Sequence, residues 1–213
     1  MKLYGYWRSS ASWRVRTALA FKKVAFDHVG VHLVKDGGQQ HDEGYREYNP
    51  MAQVPTLEIE QDGQVFYIGQ SLAILEYLEE RFPHPALLPA DALGRARARQ
   101  LAEIINSGIH PLQNLSVLTK VREELGGDER AWGKQVIEQG LQAYEKIARM
   151  SSGRFSVGDS VSFADICLVP QLYNARRFAV ETSEFKLLER IEESCMELEA
   201  FQVSHPSRQP DAV

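Results

Sequence analysis

Thr56-Leu57-Glu58-Ile59-Glu60, Gln61-Asp62-Gly63 and Val65-Phe66-Tyr67-Ile68 read in succession as a strand, a tight turn and a second strand. The Asp-Gly pair supplies the positive-φ positions that a hairpin turn needs, and the β-branched and aromatic residues around it favour extended backbone. Directly afterwards, Ser71 to about Phe82 reads as a helix, with Leu72, Leu75 and Leu78 stepping round one face. Upstream, Lys2 to Tyr6 and Asp27 to Leu33 are strand-like, Ser10 to Lys22 is helical, and Asp42 to Glu47 is weakly helical. The order is β-α-β-α-β-β-α, which can combine a parallel pair joined by a crossover helix with one antiparallel hairpin.

The thioredoxin fold is the leading small architecture with that order, so residues 1–82 are expected to form a thioredoxin-like α/β domain. Pro83-His84-Pro85-Ala86-Leu87-Leu88-Pro89 cannot continue a helix, and residues 83–92 are expected to serve as a linker. Residues 93–213 carry helical signals throughout and predict an all-α domain. Leu101, Ile104, Ile105, Ile109 and Leu112 recur at helical spacing, as do Val136, Ile137, Leu141, Tyr144 and Ile147. One helix start is strongly marked: Ser162 can cap, Asp165 can answer it from the third helical position, and Val161 can staple against Ile166. Pro170 lies inside that helix and should kink it unless its neighbours absorb the missing hydrogen bond.

Composition narrows the function. The 213 residues, 44% apolar and 25% charged, describe an ordinary globular chain able to bury a sizeable core. A net charge of -5 provides no positive field for a phosphate backbone, so nucleic acid is not expected as a partner. No apolar run approaches the roughly 20 residues of a membrane span, and Met1-Lys2-Leu3-Tyr4 starts a strand where a secretory signal would begin; a cytoplasmic protein is expected. Cys167 and Cys195 are far apart and form no CxxC, and the histidines and carboxylates do not fall at zinc-ligand spacings, so no metal is expected.

Tyr6-Trp7-Arg8-Ser9-Ser10-Ala11-Ser12-Trp13-Arg14-Val15-Arg16 sits where the first strand hands over to the first helix. Backbone N–H groups at a helix start stabilise an anion, and a hydroxyl there adds a directed donor. Read alone, the segment favours Ser9 or Ser10 as a plain helix cap. The segment resembles the SSCSWRVR motif of zeta-class glutathione transferases, also called maleylacetoacetate isomerases. Similar stretches follow in the same order: Leu33-Val34-Lys35-Asp36-Gly37-Gly38-Gln39-Gln40, Asn49-Pro50-Met51-Ala52-Gln53-Val54-Pro55-Thr56-Leu57, Gln70-Ser71-Leu72-Ala73-Ile74-Leu75-Glu76-Tyr77-Leu78, Pro111-Leu112-Gln113-Asn114-Leu115-Ser116-Val117-Leu118, and the tail from Leu198 to Pro206. The resemblance covers essentially the whole chain. One departure matters: Ala11 stands where the motif often has Cys, so a protein thiol at that place is absent and glutaredoxin-like chemistry is disfavoured.

The resemblance implies the glutathione transferase architecture, glutathione as cofactor and a homodimer. It implies Ser9, with Ser10 beside it, as the catalytic pair that holds the glutathione sulfur. Val54, before an expected cis Pro55, would pair with the tripeptide backbone as an added strand does. Gln70 and Ser71, opening the helix after the hairpin, would receive the γ-glutamyl carboxylate. Gln40, Asn114, Leu115 and Ser116 align with cofactor contacts. His110, four residues before Asn114, would share a helix face with it if the helix continues. Arg8 and Arg177 match positions that grip a small dicarboxylate substrate, whereas Arg14, Arg16 and Arg176 are expected in salt bridges or facing solvent. The implied activity is glutathione-dependent cis–trans isomerisation of maleylacetoacetate to fumarylacetoacetate. Alternatives are a general conjugating transferase, a maleylpyruvate isomerase and, from another class, a non-catalytic binding module on the same fold.

Overall fold

The computed structural model describes residues 1–212, with the side chain of Asp36 left aside. Val213, the last residue of the expected helical domain, lies outside the described residues. The chain divides into two compact units, Met1–Ala86 together with the tail from Leu198, and Leu87–Glu197.

The first unit holds β1 (Lys2–Gly5), α1 (Ser10–Phe21), β2 (Asp27–Gly30), α2 (Glu43–Tyr48), β3 (Thr56–Gln61), β4 (Gln64–Gly69) and α3 (Ser71–Arg81), and the tail adds α9 (Glu199–Val203). The strands lie in the order β2-β1-β3-β4. β1 runs parallel to β2 and antiparallel to β3, and β3 and β4 form the hairpin, Gln61 opposite Gln64. Asp62 and Gly63 take φ of 52° and 74°, the left-handed pair that a two-residue turn requires. β2 ends at Gly30, shorter than the hydrophobic run to Leu33 predicts, although the Val31 N–H still reaches the Gly5 carbonyl at 2.7 Å.

Alternation along the strands sends Leu3, Leu57 and Ile59 into a buried layer and Tyr4, Thr56, Glu58 and Tyr67 to the opposite face. On that second face Tyr45 of α2 bonds to Thr56 Oγ1 at 2.8 Å, and Tyr48 stacks on Tyr67 at 4.5 Å. α1 packs against both α3 and α9, so every residue from Ser10 to Leu19 is buried and the helix has no solvated face. At its far end the buried Lys22 ammonium donates to Glu79 (2.7 Å) and to the carbonyls of Phe82 and Pro85 (2.7 and 2.9 Å). That is why the proline-rich stretch belongs to the first unit as far as Ala86, while Leu87 and Leu88 are buried in the second. The tail, expected with the helical domain, groups with the first unit because Ser204 accepts from Trp13 Nε1 (3.2 Å) and, through its carbonyl, from Arg16 Nε (3.3 Å).

The second unit is helical: α4 (Ala92–Glu103), a π-helical segment (Ile104–Ile109), α5 (Leu115–Glu123), α6 (Glu129–Ala148), α7 (Phe163–Arg177) and α8 (Lys186–Met196). α7 is central, with Phe163 to Leu172 all buried, and it runs unbroken through Pro170. Asp165 accepts from the Ser162 N–H (2.8 Å) and hydroxyl (2.9 Å) and from the Ser156 N–H (2.8 Å), realising the marked start. Gly140 in α6 is a close-approach position: a Cβ there would overlap the Ile109 side chain.

Candidate active site

Strand register gathers the first-unit candidates at one end of the sheet. β1 and β2 both finish there, β3 begins there at Thr56, and β4 finishes there at Gly69, because Tyr4 pairs with Thr56 and Thr56 with Gly69. The loops that leave this end carry Arg8, Ser9 and Ser10, Gln40, Val54 and Pro55, and Gln70 and Ser71.

Ser9 occupies the cap position of α1 with φ -67° and ψ 119°, and its Oγ accepts from the Ser12 N–H at 3.2 Å. The cap uses an oxygen lone pair and leaves the hydroxyl proton to donate, so capping and ligand binding coexist in one residue. Ser10 follows it, buried. Arg8 is half-buried, its guanidinium carbon 5.4 Å from the centre of the Trp7 ring. The Val54–Pro55 bond is cis, as expected; His84–Pro85 is also cis. No backbone partner holds the Val54 N–H or C=O among the described residues. Gln40 is buried, with Nε2 donating to the Leu33 carbonyl at 3.3 Å and Oε1 enclosed without a partner among the described residues.

At α3, Gln70 holds the cap position at φ 64° and no side chain caps the helix. A non-glycine residue there is strained by about 1–3 kcal/mol, and such strain concentrates where a backbone must present itself to a ligand. Ser71 Oγ accepts from Arg14 Nη1 at 3.1 Å, so a buried cation lies beneath this helix start. Arg14, expected in a salt bridge or at the surface, is buried and reaches from α1 to the start of α3. Its place four residues after Ser10, on the same face of α1, was the available signal. Arg16 also departs from expectation. It is 1% exposed and donates to the carbonyls of Tyr6 (3.3 Å), Trp7 (2.8 Å) and Ser204 (3.3 Å), and desolvation lowers its pKa to about 10.

The second unit places its candidates in two stretches. His110 to Asn114 form turns after the π-helical segment, with the His110 N–H reaching back to the Ile105 carbonyl at 2.8 Å. The helix therefore does not continue from His110 to Asn114, correcting the shared-face expectation: Pro111 has no N–H to carry the ladder on. Asn114 instead heads α5, followed by Leu115 and Ser116. Gln113, between them, exchanges two amide hydrogen bonds with Gln171 of α7 (2.9 and 3.1 Å), both side chains buried. Arg177 lies in the last turn of α7 with Nη1 3.3 Å from Asn174 Oδ1, and Arg176 makes the expected ion pair, to Glu192.

Residues 3–86 match the family described as glutathione S-transferase, N-terminal domain. Along 98% of its length the chain is 52% identical to the maleylacetoacetate isomerase of Rattus norvegicus, covering 94% of that protein. The chain belongs to the maleylacetoacetate isomerase family of zeta-class glutathione transferases. Within this family a crystal structure of maleylacetoacetate isomerase from Anaeromyxobacter dehalogenans, with glutathione bound in the active site, is 50% identical, with a TM-score of 0.92 over 100% of this chain and 97% of that one. A holo structure of a bacterial maleylpyruvate isomerase of the zeta class is 42% identical, with a TM-score of 0.93 over the whole of both chains. The thioredoxin-like unit and the all-α unit are thus the glutathione transferase architecture.

Proposed function

We propose that this chain is a glutathione-dependent cis–trans isomerase acting on maleylacetoacetate, with Ser9 and Ser10 as the catalytic pair. The observation that carries this reading is the start of α1: a hydroxyl with a proton to donate, an adjacent arginine, and alanine where a protein thiol could have stood. Neither cysteine substitutes, since both are buried and burial pushes the Cys195 thiol far up.

The residues fit glutathione. Val54 offers an unpaired N–H and C=O to an extended peptide, and the uncapped start of α3 above Arg14 suits a carboxylate. We assign Gln40 in the first unit, and His110, Asn114, Leu115 and Ser116 in the second, as further cofactor contacts. When bound, glutathione supplies the thiolate that adds reversibly to the cis double bond and lets it rotate. The chain must keep that sulfur ionised. A free thiol with pKa about 8.5 is roughly 3% ionised at pH 7, and lowering it by about two units takes about 2.7 kcal/mol. A hydrogen bond from Ser9 to a charged acceptor contributes about 1.5–3 kcal/mol and the helix start about 0.3–1, which together suffice. Arg8 and Arg177 are assigned to the carboxylates of a small dicarboxylate substrate, where a planar guanidinium binds two oxygens at once.

The test is turnover of maleylacetoacetate with and without glutathione, on the wild type and Ser9→Ala. Isomerisation that continues after glutathione is removed overturns the reading. Maleylpyruvate is the second substrate to assay, because the zeta-class maleylpyruvate isomerase resembles this chain over its whole length; the ratio of kcat/KM values decides between them. A homodimer in the cytoplasm completes the proposal. Its support is the edge strand β4, where Val65 and Tyr67 on one face and Phe66 on the other are exposed, together with the exposed Met51. A solution mass equal to one chain would remove the dimer. Among the described residues no helix is long and apolar enough to cross a membrane.

A further inference from the structure

The turn between β1 and α1 presents Arg8, Ser9 and Ser10, and four backbone groups of Tyr6 and Trp7 set its path. Three are held from the turn's own neighbourhood. The Tyr6 carbonyl accepts from the Ser9 N–H (3.0 Å) and Arg16 Nη1 (3.3 Å), the Tyr6 N–H donates to Ser12 Oγ (3.4 Å), and the Trp7 carbonyl accepts from Arg16 Nη2 (2.8 Å). Ser12 and Arg16 both belong to α1 and move with it. The fourth group, the Trp7 N–H, donates to Asp211 Oδ2 at 2.9 Å, across 204 residues of chain.

Asp211 is itself anchored independently of the turn. Its Oδ1 lies 3.0 Å from His28 Nε2 on β2, a close approach without hydrogen-bond alignment, and Gly30 leaves its side chain room, since a Cβ there would meet the Asp211 Cβ at 3.4 Å. The tail leading to it is fastened by the Ser204 contacts with Trp13, Arg16 and Thr17. Gln209 Nε2 then folds the last stretch back onto the carbonyls of Val203 (3.0 Å) and His205 (2.9 Å). A carboxylate on the fastened tail, packed beside His28 and Gly30, therefore holds the N–H of the residue that precedes Arg8, and Arg16 holds the carbonyl of that same residue.

We propose that Asp211 is a positioning residue for the isomerase reaction: by gripping the Trp7 N–H from the chain's tail, it sets the orientation of Arg8 and Ser9 toward the reacting groups. This rests on the reading of the Arg8–Ser10 turn as the thiol and carboxylate site. Without that bond the Tyr6–Trp7 peptide is held through its carbonyl alone, and the Arg8 guanidinium over the Trp7 ring and the Ser9 hydroxyl two residues on lose one of the points that fix them.

The experiment compares wild type, Asp211→Ala, Asp211→Asn, Ser9→Ala and the Ser9→Ala/Asp211→Ala double variant. It measures kcat and KM for glutathione-dependent isomerisation and hydrogen exchange of the backbone amides. Asp211→Ala is expected to lower kcat/KM about 10- to 100-fold, as loss of a charge-assisted hydrogen bond would. Asp211→Asn keeps an oxygen acceptor and is expected to recover most of it. Exchange should accelerate at Trp7 to Ser10 and stay unchanged in β3 and β4. In the Ser9→Ala background the second substitution should cost less than it does alone, because one of the two groups it positions is already gone and only Arg8 remains. Costs that multiply in full in the double variant, or turn exchange in Asp211→Ala equal to wild type, overturn the proposal. A wild type with no glutathione-dependent turnover would instead remove the functional reading, while the exchange measurement still decides whether Asp211 holds the turn.

Discussion

Three helix starts in this chain solve the same problem in two ways. The first turn of any helix leaves backbone N–H groups without intrahelical partners. At α7 the chain closes the start on itself: Asp165, fully buried, takes the N–H and hydroxyl of Ser162 and the N–H of Ser156. At α1 the chain caps one donor through Ser9, and at α3 it caps none by a side chain, placing Gln70 at positive φ and a buried arginine below. The closed start serves the fold, whereas the open starts keep backbone donors available and are the ones the proposed function assigns to anions. A serine at a helix start is thus ambiguous until the third helical position is read: Asp165 answers Ser162, but Ser12 stands there after Ser9, and Ala73 after the cap residue Gln70.

The largest effect that tests this contrast is on stability at α7. Asp165→Ala leaves three buried donors without their acceptor and should cost roughly 3 kcal/mol or more. Denaturant midpoints measure it, and the activity of the fraction that remains folded should be unchanged. A stable Asp165→Ala protein with weakened glutathione binding would erase the distinction between closed and open starts.

Next comes Ser9→Ala, where the cost should fall on catalysis. Removing one donor from a developing or stabilised anion lowers kcat by about 100- to 1,000-fold, against about 1 kcal/mol for a lost cap. Turnover that falls only as far as the folded fraction does would make Ser9 a cap and nothing more. Ser71→Ala should have a smaller effect, about a tenfold rise in the glutathione dissociation constant, with Ser162→Ala as the control that leaves it unmoved. Calorimetric titration separates the two.

What could be read in the sequence was local. The Asp-Gly hairpin, the periods of α3 and α6 and the Ser162–Asp165 start each sit within a few residues, and each appears where its pattern predicts, whereas the period from Leu101 to Leu112 breaks into a π-helical segment and turns. The candidates at the sheet end were named by the resemblance to zeta-class glutathione transferases; from the residues alone the start of α1 was legible only as a cap or an anion site. Arg14, Arg16 and Asp211 were not, for one physical reason: their partners are distant or backbone. A buried arginine that binds carbonyls has the same sequence appearance as a solvated one, and nothing local to Asp211 names a peptide 204 residues away. The π-helical segment before His110 was also invisible, since Ile104, Ile105 and Ile109 satisfy an α-helical period equally well.

The smallest effect concerns pH, and it sharpens the comparison from the side of the tail. Burial lowers the pKa of His28, assisted by Arg16 and opposed by Asp211; burial likewise lowers that of His205, assisted by Arg16 and Arg208. With the folded values below the ordinary value near 6.5, the unfolded chain binds more protons between the two, so stability rises with pH across that window. It is lost as pH falls from about 6.5 toward the folded values and is fully present above. Urea midpoints taken at descending pH should show this loss, and His28→Asn with His205→Asn should flatten it. Because both histidines lie in the first unit, around the tail that steadies the open start of α1, the loss should appear there first, as faster amide exchange at Trp7 to Ser10 while the closed start of α7 keeps its protection. Equal loosening of both starts on acidification would mean that the tail contributes nothing particular to the open one.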